Sequence, residues 1–239
     1  HAGLATSDLA AATMLTLAPW FFWRHLERRD VSSGLLAGLM SGLALTAKFN
    51  GVLLAPIYGL LALADAWLRA GHPTDATSAR GRRFALNLAL AAVQGAAAVA
   101  IIWAFFNFRF SARGPGTPEL VQFAWSWSEM LGALGWKRGI VEAALRWHLL
   151  PEAWLYGLTN VLAGEAARPA FFAGEHSLTG WWQFFPTLFL LKTPLAFLIA
   201  LGAALILGLV RLRHNAPVTR RAALQRAAPL LASALVVWG

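Results

Sequence analysis

Six ionisable residues stand out in a chain otherwise poor in charge: Asp8, Lys48, Arg109, Glu175, His176 and Lys192. They lie in or beside apolar stretches, where an ionisable group costs about 2.5–3.5 kcal/mol to insert and is a functional candidate by default. Their types define a chemistry. Lys48, Lys192 and Arg109 are fixed cations of the kind that stabilises a phosphate leaving group. Asp8 and Glu175 are carboxylates and His176 an imidazole, groups that take a proton from a hydroxyl or ligate a metal. Each also has a plainer reading. Asp8 follows Thr6 and Ser7 and fits a helix N-cap, Lys48 and Lys192 fit side chains snorkelling to an interface, and Arg109 fits a flank of the span before it. His25, His72 and His214 read as loop residues. The sequence has no glycine-rich phosphate loop, Ser-His-Asp set or HExxH helix.

The elements that must position these residues are membrane helices. Of the 239 residues 58% are hydrophobic and 13% charged, with a mean hydropathy of +0.57. A soluble domain carries about 25% charged residues. Phe84 to Phe108 contains no charge, and Thr193 to Val210 is a second uncharged run, each close to the roughly 20 residues a membrane helix needs. The net charge of +9 does not point to nucleic acid, because the basic residues fall in short polar stretches between apolar runs: Arg24, Arg28, Arg29; then Arg69, Arg80, Arg82, Arg83; then Arg211, Arg213, Arg220, Arg221, Arg226. That is the pattern of cytoplasmic loops, not of one basic folded face. Without cysteine there are no disulfides or thiolate metal sites. The chain starts at His1 and its final apolar run stops at Gly239. These ends predict an internal piece of a longer multi-pass protein, inactive alone.

The pattern predicts an all-α fold, a polytopic transmembrane bundle with spans at about 3–23, 34–47, 51–68, 84–108 and 193–210 and an incomplete one at 227–239. A single helix from Gly34 to Leu68 would be about 52 Å long at 1.5 Å per residue, too long for a core of about 30 Å. Two spans also keep Arg24–Arg29 and Arg69–Arg83 on one side. A hairpin with Lys48 at its tip therefore follows. Gly34, Gly38 and Gly42 repeat the spacing that brings helices close. Residues 109–192 form a long outer segment. Up to Gly180 it has six basic and six acidic residues, and the whole segment holds seven of the twelve tryptophans. Helical spacing of Ile140, Ala143, Ala144, Trp147 and Leu150 predicts amphipathic helices lying in the interface. No strand-like alternation is present. The threading gathers all six candidate residues at the outer face.

Three stretches carry a resemblance: His1-Ala-Gly-Leu-Ala-Thr-Ser-Asp8; Gly38 to Gly51, with Thr46-Ala-Lys48-Phe-Asn50; and Gly174-Glu-His-Ser-Leu-Thr-Gly-Trp-Trp-Gln-Phe-Phe-Pro186 running on to Leu191-Lys-Thr-Pro194. In order and spacing the chain resembles bacterial membrane glycosyltransferases of the GT-C type, family 39, which includes protein O-mannosyltransferases and lipid A aminoarabinose transferases. The resemblance implies a sugar donor carried on a polyprenyl phosphate, a protein or lipid acceptor, and transfer on the outer side of the cytoplasmic (inner) membrane. It places Asp8, Glu175 and His176 among the catalytic residues and Lys48, Lys192 and Arg109 on the donor phosphate. The main catalytic aspartate of such proteins belongs upstream of His1. No cofactor is implied with certainty, and a divalent metal is left open because family members differ. A multi-pass transporter and a non-catalytic membrane scaffold are the alternatives. A transporter would put its charges near the midplane and show paired repeats, and a scaffold would need no converging cations.

Overall fold

A computed structural model of the chain describes residues 7–69, 76–113, 123–164, 169–214 and 217–238. The described residues are mostly helical, in the order α1 (Ser7–Arg28), α2 (Val31–Ala47), α3 (Leu54–Arg69), α4 (Ala76–Phe105), α5 (Trp127–Gly132), α6 (Arg138–Arg146), α7 (Glu152–Ala163), strands β1 (Ala170–Phe172) and β2 (Glu175–Ser177), α8 (Phe184–Lys192), α9 (Leu195–His214) and α10 (Pro217–Trp238). Two compact units divide the chain: His1–Gln122 with Glu142–Gly157 and Leu224–Gly239, and Phe123–Val141 with Leu158–Ala223.

In the first unit α1 packs on α2 and α3, and α4 closes the group by packing on α2 and α3. Successive helices run in opposite directions. At one end Arg69 of α3 pairs with Glu27 of α1, and Arg83 of α4 with Asp65 of α3. At the other end Lys48, just past α2, pairs with Asp8 at the start of α1. The α2–α3 hairpin expected from the length arithmetic is therefore present. Its core holds Ala18, Phe22, Leu26, Ala37, Ile57 and Leu61, with Ala228 and Ala232 of α10 packed in. Phe22 stacks on Tyr58 with centroids 4.1 Å apart, and Tyr58 reaches Ser41 of α2 at 2.5 Å.

The three glycines of α2 set the closeness of this packing. A Cβ on Gly34 would stand 2.9 Å from the His25 ring, one on Gly38 2.8 Å from the Ala97 Cβ, and one on Gly42 2.6 Å from Ile101. Real Cβ atoms do not come that close, so α1 and α4 approach α2 this closely at these positions because it lacks a side chain there. Asp30 starts α2 by accepting the Ser33 backbone N–H at 2.8 Å, the N-cap bond.

Among the described residues, two helices are long and apolar enough to cross a membrane: Phe49–Arg69 and Ser78–Phe105. These correspond to two of the six expected spans. The other expected runs fall on helices with different bounds. The stretch 34–47 lies in the 17-residue helix α2, about 25 Å long at 1.5 Å per residue. Of the run 3–23, residues 7–23 lie in α1, which also carries Arg24, His25, Glu27 and Arg28, and residues 3–6 lie outside the described residues. The run 193–210 lies in α9 from Leu195 on, because Pro194 cannot continue α8; Phe184–Lys192 and Leu195–Arg211 meet at 112° and together pass as one further, broken span. The residues from Ala227 on belong to α10, which begins ten residues earlier at Pro217 and so takes in Arg220, Arg221 and Arg226.

The segment 109–192 contains short helices, as expected, but is not wholly helical. β1 and β2 form an antiparallel hairpin, pairing Ala170 with Ser177, Phe171 with His176 and Phe172 with Glu175. Its two-residue turn has φ of 52° at Ala173 and 90° at Gly174, the paired positive values that match strand twist.

Candidate functional site

Lys48 owes its position to a break in the helix. It is extended, with φ −160° and ψ 142°, and a short 3-10 turn, Phe49–Leu53, leads into α3. A helix that stops leaves its last carbonyls without internal partners. One is taken by the Lys48 backbone N–H, which donates to Ala44 O at 3.1 Å. Another is taken from far along the chain: Trp154 Nε1 donates to Leu45 O at 3.0 Å. The Trp154 ring lies edge-on to Phe49 at 5.6 Å, and Phe49 packs over Gly157, where no Cβ would fit. The break is thus clamped by α7.

The Lys48 ammonium lies 2.5 Å from the Asp8 carboxylate, with both side chains well exposed. Such an exposed pair contributes little stability, and its groups are free to exchange partners. Beside Lys48 is a cavity of about 400 Å³ whose walls include Leu45, Phe49, Phe105, Phe106 and Trp154. A cation therefore stands on an aromatic, apolar chamber with a carboxylate in contact.

Arg109 follows the end of α4, where Asn107 and Phe108 turn the chain with φ of 52° and 54°. The next residues dock on the start of α7: Glu152 N–H donates to Phe110 O at 2.9 Å, Ala112 N–H donates to Glu152 Oε2 at 2.9 Å, and the Phe110 ring stacks on His148. Arg109 itself is exposed, three residues beyond Phe106 of the chamber.

The remaining candidates belong to the second unit. Glu175 and His176 are exposed neighbours on β2, and successive strand residues project from opposite faces. They do not form one acid–base pair with each other. The motif that follows them builds an aromatic pocket of about 480 Å³ from Gly180, Trp181, Trp182, Phe184 and Phe185 with Ala170. Phe172 faces Trp181 and Phe184 at 6.2 and 5.9 Å. Trp181 Nε1 and Gln183 Oε1 are buried there without a partner among the described residues. Lys192, in the last turn of α8, is exposed at the 112° bend.

The structure thus brings Asp8 and Lys48 into contact, holds Arg109 next to the residues that wall their chamber, and carries Glu175, His176 and Lys192 on a separate unit. Among the described residues no three His, Cys, Asp or Glu side chains gather as a metal would need.

One ionic centre went unnoticed in the sequence. Asp65 is fully buried and receives Arg69 Nη1 at 2.7 Å, Arg83 Nε at 2.7 Å and Asn87 Nδ2 at 2.8 Å, with Arg29 Nη2 at 3.8 Å. Arg29 also donates to Asn87 Oδ1 at 2.6 Å. Burial pulls the Arg29 guanidinium below its usual range; the Asp65 charge opposes this, while those of Arg83 and Arg69 reinforce it. In sequence, Asp65 is distinguished only by being the sole acid between Phe49 and Arg69.

Comparison of the chain with family models, curated proteins and solved structures yields no match.

Proposed function

We propose that the protein is an integral membrane glycosyltransferase of the GT-C type, moving a sugar from a polyprenyl-phosphate donor to a protein or lipid acceptor at the outer face of the cytoplasmic membrane. The observation that carries the proposal is the contact of Lys48 with Asp8 at the aromatic chamber. A lipid-linked sugar phosphate presents an isoprenoid chain, a phosphate and an anomeric carbon. The chamber walls suit the first, Lys48 the second, and Asp8 a hydroxyl directed at the third.

In this reaction the bond between the anomeric carbon and the donor phosphate oxygen breaks as the acceptor oxygen bonds to that carbon. The phosphate leaves with the electron pair, and Lys48 stabilises its growing charge. The acceptor proton passes to a carboxylate or imidazole, for which Asp8, Glu175 and His176 are the candidates in this chain. Lys192 and Arg109 are further phosphate ligands in this proposal.

The test uses the full-length protein in detergent, supplied with a polyprenyl-phosphate sugar and, separately, a nucleotide sugar. Transfer from the lipid-linked donor alone is expected, and the reverse preference overturns the proposal. Lys48→Gln removes a charge-assisted hydrogen bond of roughly 1.5–3 kcal/mol, so it should cut donor affinity or rate about ten- to hundredfold with little change in melting temperature. Near-normal transfer by that variant would return Lys48 to a turn residue.

A further inference from the structure

At the end of the first unit opposite Lys48, a cavity of about 700 Å³ is lined by His25, Arg29, Arg69, Arg82 and Arg83, with Leu86 and Leu90 along one wall. We propose that this cavity binds the phosphate headgroup of an anionic membrane lipid, with the lipid chain running along α4.

Charge is the first argument. Four guanidiniums line the cavity, and the carboxylates paired with them are two, Asp65 and Glu27; four less two leaves an excess of two positive charges. Among the described residues Arg82 has no carboxylate partner, while Arg69 is shared between both acids. A group bringing negative charge would complete the cluster.

Preorganisation is the second. Arg83 spends Nε and Nη2 on Asp65, and Arg29 spends Nη2 on Asn87. A guanidinium has five N–H donors in a fixed fork, so each has donors left for another acceptor. Asp65, with no exposure at all, holds these forks in place from below. Phosphate oxygens are the acceptors that such forks suit best.

The third argument separates a lipid from free phosphate. Arg82, Leu86 and Leu90 recur every four residues and so form one stripe on α4. Leu86 is half exposed, and Leu90 packs against the core. A cation leading into an apolar stripe on a membrane-length helix matches an amphiphile, head at Arg82 and chain along Leu86. Basic pockets between membrane helices bind anionic headgroups in this way. The proposal does not depend on the transferase activity, since it uses none of that site's residues.

The test adds lipid to the full chain purified in neutral detergent and reads melting temperature and lipid retained by native mass spectrometry. Dioleoyl phosphatidylglycerol should be retained and raise the melting temperature saturably, whereas dioleoyl phosphatidylcholine and millimolar inorganic phosphate should not. Arg82→Gln, which leaves every contact to Asp65 intact, should weaken phosphatidylglycerol binding about tenfold, the effect of one charge-assisted contact. Leu86→Asn should weaken it as well. Equal retention of both lipids, or no effect of Arg82→Gln, overturns the proposal. Protection by inorganic phosphate equal to that by the lipid, unchanged by Leu86→Asn, would show a free-phosphate site and overturn the lipid assignment.

Discussion

Arg83 grips Asp65 through two nitrogens, Nε on Oδ2 at 2.7 Å and Nη2 on Oδ1 at 3.2 Å, tying α4 to α3 across a carboxylate with no solvent exposure. The same carboxylate is bound by Arg69 and Asn87. Removing one partner from a buried ion pair costs about 3–5 kcal/mol, because the other is left uncompensated. Arg83 and Arg29 keep 32% of their side-chain surface in water, which places the loss at the lower end, about 3 kcal/mol. Asp65→Asn should therefore lower the melting temperature strongly. Asp8→Asn, which breaks an exposed pair, should cost less than about 1 kcal/mol. Equal effects of the two would contradict the assigned burial.

Trp154→Phe keeps the ring that packs on Phe49 and removes the donor to Leu45 O. A buried acceptor left without its bond costs about 1–3 kcal/mol, and the partly buried Leu45 carbonyl belongs at the lower end, about 1 kcal/mol. Thermal melts should show that loss, and hydrogen exchange should show faster opening at residues 45–53 than in α4. Unchanged exchange there would mean that water replaces the indole at no cost.

Gly42→Ala should destabilise the α2–α4 contact by about 1–3 kcal/mol, the usual range for overpacking a tight interface. Gly95→Ala is the control. It lies on α4 with nothing within 4 Å of a built Cβ, and alanine should help its helix by up to about 1 kcal/mol. Comparable melting temperatures for both variants would refute the close approach.

Asp30 links α2 to pH. Hydrogen bonds from the Ser32 side chain and the Ser33 backbone lower its carboxyl from 3.8 to about 2. A depressed native value favours the charged form in the folded chain, so this contribution is present above about pH 4 and lost as pH falls toward 2. Asp30→Ala should lower stability at neutral pH and narrow its gap to the parent protein at pH 2. Asp30→Asn, itself a good N-cap, should lose far less at neutral pH. A gap that stays constant between pH 6 and pH 2 would disprove the linkage.

The helix directions place Ser78, early in α4, at the Asp65 end and Ser111, beyond α4, at the Lys48 end. With no native cysteine, single cysteines at these positions should react from opposite sides of a sealed membrane with an impermeant reagent. Reaction from one side only would overturn the threading of α4.

Much of the first unit was legible in the sequence because simple arithmetic constrained it. A helix through Lys48 was too long for a bilayer, and the glycine spacing of α2 could serve only a close approach. What escaped depended on contacts between distant residues. Asp65, four residues before Arg69, reads as the charged margin of a span until Arg83, Asn87 and Arg29 arrive from elsewhere. The hairpin at Glu175 is three residues per strand, and its turn starts with Ala173, a poor marker for positive φ. Without that strand, the neighbours Glu175 and His176 look like partners, when the pleat sends them apart.

The bond from Trp154 to Leu45 joins residues 109 positions apart, and that interval is also a delay in time. At about 5–20 residues per second, roughly 5–20 s of synthesis separate the emergence of the carbonyl from that of the indole that satisfies it. The α2–α3 hairpin is therefore synthesised with its tip unfinished. The Lys48 corner acquires its final shape only after Trp154 of α7 has been made, so the nascent chain carries an open corner throughout that interval.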